Sequence, residues 1–181
     1  MNHRNVLLAA AAIALSGAAA LSAQTAAGMT AHADIKGDGI TGTLTLVERK
    51  QGNATVVEFT LEAKGLKPGK HGVHLHAVGK CDPDFTAAGG HFDPGPAGNP
   101  DPDANHPYHM GDIPNLEVGA DGTGKLTGVT TRITLSPGPL SILDDDGTAV
   151  IIHGNEDQGT TGPPKSGVSG GPRIACGVIS K

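Results

Sequence analysis

From residue 30 to the C-terminus the chain is cut into short runs of alternating apolar and polar residues. Almost every run ends at Gly, Pro, Asn or Asp. A strand buries every second side chain, so this alternation specifies half-buried strands, and the frequent turn residues leave no room for helices between them. Runs at 30–36, 40–50, 56–61, 70–76, 116–120, 125–135, 149–153 and 173–179 read as eight strands. Gly37-Asp38-Gly39, Gln51-Gly52-Asn53 and Asp121-Gly122-Thr123-Gly124 read as the tight turns between some of them. With 28 Gly, 13 Pro, no Trp and three Phe, the core must be built from Val, Ile, Leu and Ala. So much Gly and Pro also suits a disordered chain, but disorder does not produce recurrent alternation. The expectation is one all-β domain, an antiparallel sandwich or barrel.

Two stretches break the pattern. Residues 80–114 and 154–172 lack periodicity and are rich in Gly, Pro, Asp and Asn, and loops of that length in a compact domain are usually functional. The histidines gather around them. In the run Lys70-His71-Gly72-Val73-His74-Leu75-His76, positions 74 and 76 share one face, so both imidazoles can aim at one point. Imidazole suits copper and zinc, and a strand fixes the angle between two ligands better than a loop does. His71 has the opposite parity and reads as a structural or supporting residue. His91, His106, His109 and His153 lie in or beside the two loops, and His106-x-x-His109-x-x-Asp112 has the short spacing of a metal site. Alone, Asp112 would read as a turn residue; beside two histidines it reads as a ligand. His32 has no such partner nearby.

Residues 1–23 read as an export signal, with Arg4, an apolar stretch from 6 to 15, then small residues that allow cleavage after Ala20 or Ala23. The apolar stretch is too short to span a bilayer. The expected layout is a signal peptide at 1–23 and a single domain at 24–181, exported to a periplasm or secreted. In an oxidising compartment Cys81 and Cys176 are most simply a disulfide, rather than free thiols or metal ligands. The formal charge of −5 becomes −6 once Arg4 is removed, with 12 basic against 18 acidic residues. No basic stretch is present to neutralise phosphates, which argues against a nucleic-acid partner.

Five ordered motifs then stand together: His71-Gly-Val-His74-Leu-His76, Gly89-Gly90-His91-Phe92-Asp93-Pro94, His109-Met-Gly-Asp112, Val150-Ile-Ile-His153 and Arg173-Ile-Ala-Cys176-Gly-Val-Ile. Over about residues 30–181 they resemble the copper,zinc superoxide dismutase family. The resemblance implies an eight-stranded antiparallel Greek-key barrel with two long functional loops, acting on superoxide as a monomer or homodimer. It implies copper held by His74, His76, His91 and His153, with His91 shared with zinc. His109 and Asp112 match zinc ligands, Arg173 the residue that holds superoxide, Asp157 the carboxylate linking ligands of the two metals, and Cys81–Cys176 the family disulfide. Lys165 is either part of the local positive field or an ordinary solvated lysine.

One departure stands out. Family members carry a further zinc histidine midway through the first loop, where this chain reads Gly95-Pro-Ala-Gly-Asn99-Pro-Asp-Pro-Asp103. We expect His106 to supply it. The chain from His91 to His106 can extend to about 50 Å, so reach is no obstacle. The opposing expectation is a solvated histidine beside Pro107. At the level of function, the rival to dismutation is a copper- or zinc-binding or copper-storage protein of the same fold with little turnover. An arginine over the metal argues against storage.

Overall fold

The computed structural model describes residues 28–95 and 101–181; the expected signal peptide and residues 96–100 lie outside them. Eight strands form: β1 (Thr30–Gly37), β2 (Thr41–Gln51), β3 (Ala54–Lys64), β4 (Gly69–His76), β5 (Asp112–Val118), β6 (Thr123–Thr130), β7 (Ala149–His153) and β8 (Arg173–Val178). All pairings are antiparallel and the sheet closes on itself in the order β1-β2-β3-β6-β5-β4-β7-β8. Consecutive strands pair directly except β3 with β4 and β6 with β7; β3 pairs instead with β6 and β4 with β7, the crossovers of a Greek key. No helix among the described residues is long and apolar enough to cross a membrane.

Alternation places Ala31, Ala33 and Ile35 of β1, Leu44 and Leu46 of β2, and Phe59 and Leu61 of β3 in one core. Strands β4 and β7 depart from this half-buried pattern. From His71 to His76 and from Ala149 to His153 every residue is buried. Val73, Leu75, Val150 and Ile152 fill the barrel, while the opposite face carries Ala149 and Ile151 in a separate small cluster with Ala88 and Cys176. The register aligns His74 with Ile151 and His76 with Ala149, so both histidines stand on that outer face. The two long loops cover it.

Several strand ends differ from the sequence reading, β5 and β6 the most. β5 begins at Asp112, because Pro114 falls at the irregularity between His71 and Val73, where β4 and β5 slip register and no amide is needed from it. β6 ends at Thr130 rather than 135. Beyond it Ile133 and Leu135 still plug the core, but the backbone is held by the buried Glu48 carboxylate, which accepts from the N–H groups of Leu135 and Ser136. The first loop also contains one 3-10 turn at Phe85–Ala88, capped by Asp84.

Candidate metal centre

Past His74, which pairs with Asp112 at the start of β5, the first loop takes the place of β5 beside β4. Leu75 N–H donates to Gly111 O, Phe92 N–H to Leu75 O, and Ala77 N–H to Gly90 O, which brings His91 level with His76. The second loop approaches from the other side, with Gly72 N–H donating to Asn155 O. A Cβ on Gly72 would stand 3.2 Å from Asp157 Cβ and 3.3 Å from the His74 ring, so any larger residue would push that loop away. Six histidines and one aspartate thereby meet on the outer wall: His74, His76, His91, His106, His109, His153 and Asp112, all buried.

Each ring has one nitrogen tied to the protein and one left over. His76 Nδ1–H donates to Gly89 O at 3.0 Å and His153 Nδ1–H to Gly171 O at 3.0 Å. His74 is turned the other way, with Nε2–H donating to Asp157 Oδ2 at 2.9 Å. The second nitrogens, His74 Nδ1 and Nε2 of His76, His91 and His153, are buried without a hydrogen-bond partner. Ligand atoms of these four residues lie within 4.8 Å of one another. Buried polar atoms are rarely left unpaired, so four converging imidazole nitrogens fit a metal ion such as copper.

Beside this set is a second. His91 Nδ1–H donates to Asp112 Oδ1 at 2.6 Å, while His106 Nδ1 and His109 Nδ1 stand 3.3 Å and 3.2 Å from Asp112 Oδ2. Three imidazole nitrogens around one carboxylate make a nitrogen and oxygen donor set of the kind zinc takes. By mutual distance, His74, His91, His106 and Asp112 also form a compact group of four, from which His109 is absent. The hydrogen bonds to Asp112 are nevertheless shared by His109, whose backbone N–H also donates to Asp112 Oδ2. His91 is the ring common to both sets, with centroids 4.1 Å from His74 and 5.0 Å from His109. Asp157 links the sets from behind, accepting from His74 through Oδ2 and from His106 Nε2–H through Oδ1 at 2.6 Å.

Burial and these contacts set the charges. Burial, reinforced by the charge of His74, brings His91 and His153 down to about 3, and burial also holds His76 well below the ordinary histidine range. Burial acts against charge at His106 too, but hydrogen bonds to Asp112 and Asp157 outweigh it and raise the ring to about 9. At both carboxylates burial is overcome by the histidines, His106 foremost, and each is held well below the carboxylate range. His76, His91 and His153 are thus held uncharged, while His106 and the two carboxylates form an ionic group.

The remaining residues frame it. Arg173 donates to Phe85 O at 2.7 Å and Gly89 O at 2.6 Å, and Gly89 O is the carbonyl that also holds His76. Arg173, His153 and Lys165 line one cleft of about 210 Å³. His71 spans two backbone carbonyls, His153 O at 2.7 Å and Lys67 O at 2.9 Å, on the supporting side of the site. Cys81 and Cys176 are disulfide-bonded, which anchors the first loop to β8. His32 is exposed on β1, with Ser180 as its backbone partner. Two buried or half-buried residues escaped the sequence reading. Asn115 brackets Asp157, with Nδ2–H donating to Asp157 O and Oδ1 accepting from its N–H. Asp103 ties the two loops together. Neither has a spacing signal, since both act through backbone groups distant in sequence.

A closed all-β barrel whose outer wall carries converging, unpartnered imidazoles defines a histidine-built metalloprotein. Residues 40–179 match the model of the copper/zinc superoxide dismutase family. The chain is 40% identical over 151 residues to a superoxide dismutase [Cu-Zn] of Deinococcus radiodurans, covering 77% of each chain. It is 36% identical over 193 residues to that of Mycolicibacterium paratuberculosis, covering 91% of this chain and 80% of the other. The crystal structure of a SOD-like protein from Bacillus subtilis superposes with a TM-score of 0.66 at 32% identity, covering 81% and 96%. The chain belongs to the copper/zinc superoxide dismutase family and is an enzyme of that class.

Proposed function

We propose that the protein dismutes superoxide to molecular oxygen and hydrogen peroxide at a copper held by His74 Nδ1 and by Nε2 of His76, His91 and His153. Zinc would be held beside it by His91, His106, His109 and Asp112. When bound, copper supplies one-electron redox chemistry, and zinc, which has none, supplies fixed positive charge. The observation that carries this reading is the set of buried ring nitrogens without partners, each on an imidazole whose other nitrogen is already committed.

The protein's own groups have distinct tasks. Gly89 O and Gly171 O hold His76 and His153 as Nδ1–H tautomers, which frees Nε2 on both. Asp157 does the reverse for His74. His91 is common to both donor sets, and whenever its Nε2 is not taken by copper that atom would hold a proton and release it, because burial favours the uncharged ring. Arg173 stays charged and, fixed by two carbonyls, presents its guanidinium to the cleft that reaches His153. There it binds the superoxide anion and offsets its charge. Lys165, exposed at the mouth of that cleft, adds to the attraction. We further place the enzyme outside the cytoplasm, as an exported periplasmic or secreted protein. The disulfide and the export-type N-terminus support that placement.

Superoxide decay followed by pulse radiolysis, before and after loading with copper and zinc, tests the reading. Rapid decay that requires copper is expected. Stoichiometric copper without accelerated decay would identify a metal store instead. Zinc per chain in His106→Ala against the parent decides the fourth zinc ligand; unchanged stoichiometry and affinity would return His106 to a bystander.

A further inference from the structure

We propose that Asp103 is a positioning residue that fastens the first loop to the second and thereby fixes the imidazole of His153. The inference rests on the reading of His153 as a copper ligand. Asp103 is 2% exposed and lines the cleft beside His153 and Arg173. A buried carboxylate next to an anion's path is unfavourable unless fully bonded. Its bonds come from neutral donors: Oδ2 accepts from Gly167 N–H at 2.8 Å, Oδ1 from Ser169 N–H at 3.1 Å and Ser169 Oγ–H at 2.7 Å, and the Ser166 side chain also bonds the carboxylate. Its own carbonyl accepts from Gly162 N–H. Among the described residues it forms no ion pair with Lys165 or Arg173. Asp103 therefore serves as a tie between backbones rather than as a partner for charge.

What it ties matters. The second loop folds back on itself as an irregular hairpin, with Gly154 N–H donating to Pro172 O, Asn155 N–H to Gly170 O and Gln158 N–H to Val168 O. One arm carries Asp157, and the other ends in the Gly171 carbonyl that orients His153. That second arm, Gly167-Val168-Ser169-Gly170-Gly171, has three glycines in five residues, all with φ between 66° and 105°. Glycines at positive φ give a segment little conformational restraint of its own. Asp103 grips it at Gly167 and Ser169, two residues before the carbonyl that His153 needs. A chain of contacts thus runs from the loop that carries His106 to the ring of His153.

Ring N–H exchange with water, measured by NMR on copper(I)- and zinc-loaded protein, tests this. His76 is the internal control, since its Nδ1–H is held by Gly89 in the other loop. In Asp103→Ala the His153 Nδ1–H should exchange about tenfold faster, and in Ser169→Ala about threefold faster, with His76 unchanged. Asp103→Asn keeps an oxygen for Ser169 and should recover most of the protection. Exchange that is unaltered at His153, or that rises equally at His76 and His153, overturns the proposal. If Asp103→Ala does not fold, Ser169→Ala decides by the same criterion. A parent protein whose His153 ring resonances ignore copper(I) would overturn the metal-site reading itself, and the inference with it.

Discussion

The two halves of the metal centre are made differently. On the side we propose for copper, His74, His76 and His153 are built into β4 and β7, whose inner faces are core. On the side we propose for zinc, His106 and His109 stand on a loop, and only Asp112 opens a strand. The first half inherits its geometry from the barrel. The second is assembled from hydrogen bonds, to Asp112 and Asp157 above all. Strand-built ligands are pre-organised by packing, whereas loop-built ligands depend on the ion and on outer partners to hold them in place.

The strongest way to break this comparison is to remove a ligand from the rigid half. His153→Ala should lower the superoxide rate by more than about 10²-fold, beyond the 10–100-fold typical of an outer partner. Copper per chain and pulse radiolysis measure it; a rate near the parent's would place the catalytic metal elsewhere. Arg173→Ile comes next. With copper intact, the rate should fall by about 10–100-fold and lose much of its dependence on ionic strength. An unchanged rate at full copper occupancy removes Arg173 from the reaction.

Asp157→Asn sharpens the contrast directly, because Asp157 bonds one ring from each half. Zinc affinity should fall about tenfold, while copper affinity falls less, since β4 still fixes His74. Competition with chelators reads both constants, and equal losses would mean that the strand adds no rigidity. The smallest expected effect lies in the pH dependence of the metal-free protein. His91 and His153, at about 3 in the folded chain against 6.5 ordinarily, leave the unfolded chain holding more protons between those values. Stability should therefore fall as pH drops from 6.5 towards 3. His106, raised to about 9, contributes stability that is complete below 6.5 and is lost as pH climbs through 9. Urea melts across this range should show an alkaline decline that His106→Ala abolishes; persistence of that decline would assign it to another group.

The same division explains what was legible in the sequence. Alternation with period two reveals a strand and both of its faces, so His74, His76 and the eight runs could be placed without coordinates. His106, His109 and Asp112 show only through their short spacing, and the role of His91 only through motif resemblance, because no period governs a loop. Strand ends at Asp112 and Thr130 were missed for a related reason. Pro114 reads as a breaker until one sees that it lies at a register slip, and Leu135 continues the apolar pattern after the backbone has left the sheet. Asp103 and Asn115 were invisible, since a side chain that bonds distant backbone amides leaves no pattern in its neighbours.

Strand β4 is a wall with a different tenant on each side: Val73 and Leu75 within, His74 and His76 without. Nothing can shift one side without moving the other. Metal bound outside is therefore linked thermodynamically to the packing inside, because an ion that prefers the folded chain adds its binding free energy to stability. The melting temperature of this protein should act as a gauge of its metal content. Conversely, trimming a core side chain such as Leu75 should weaken its hold on copper from the far side of the wall.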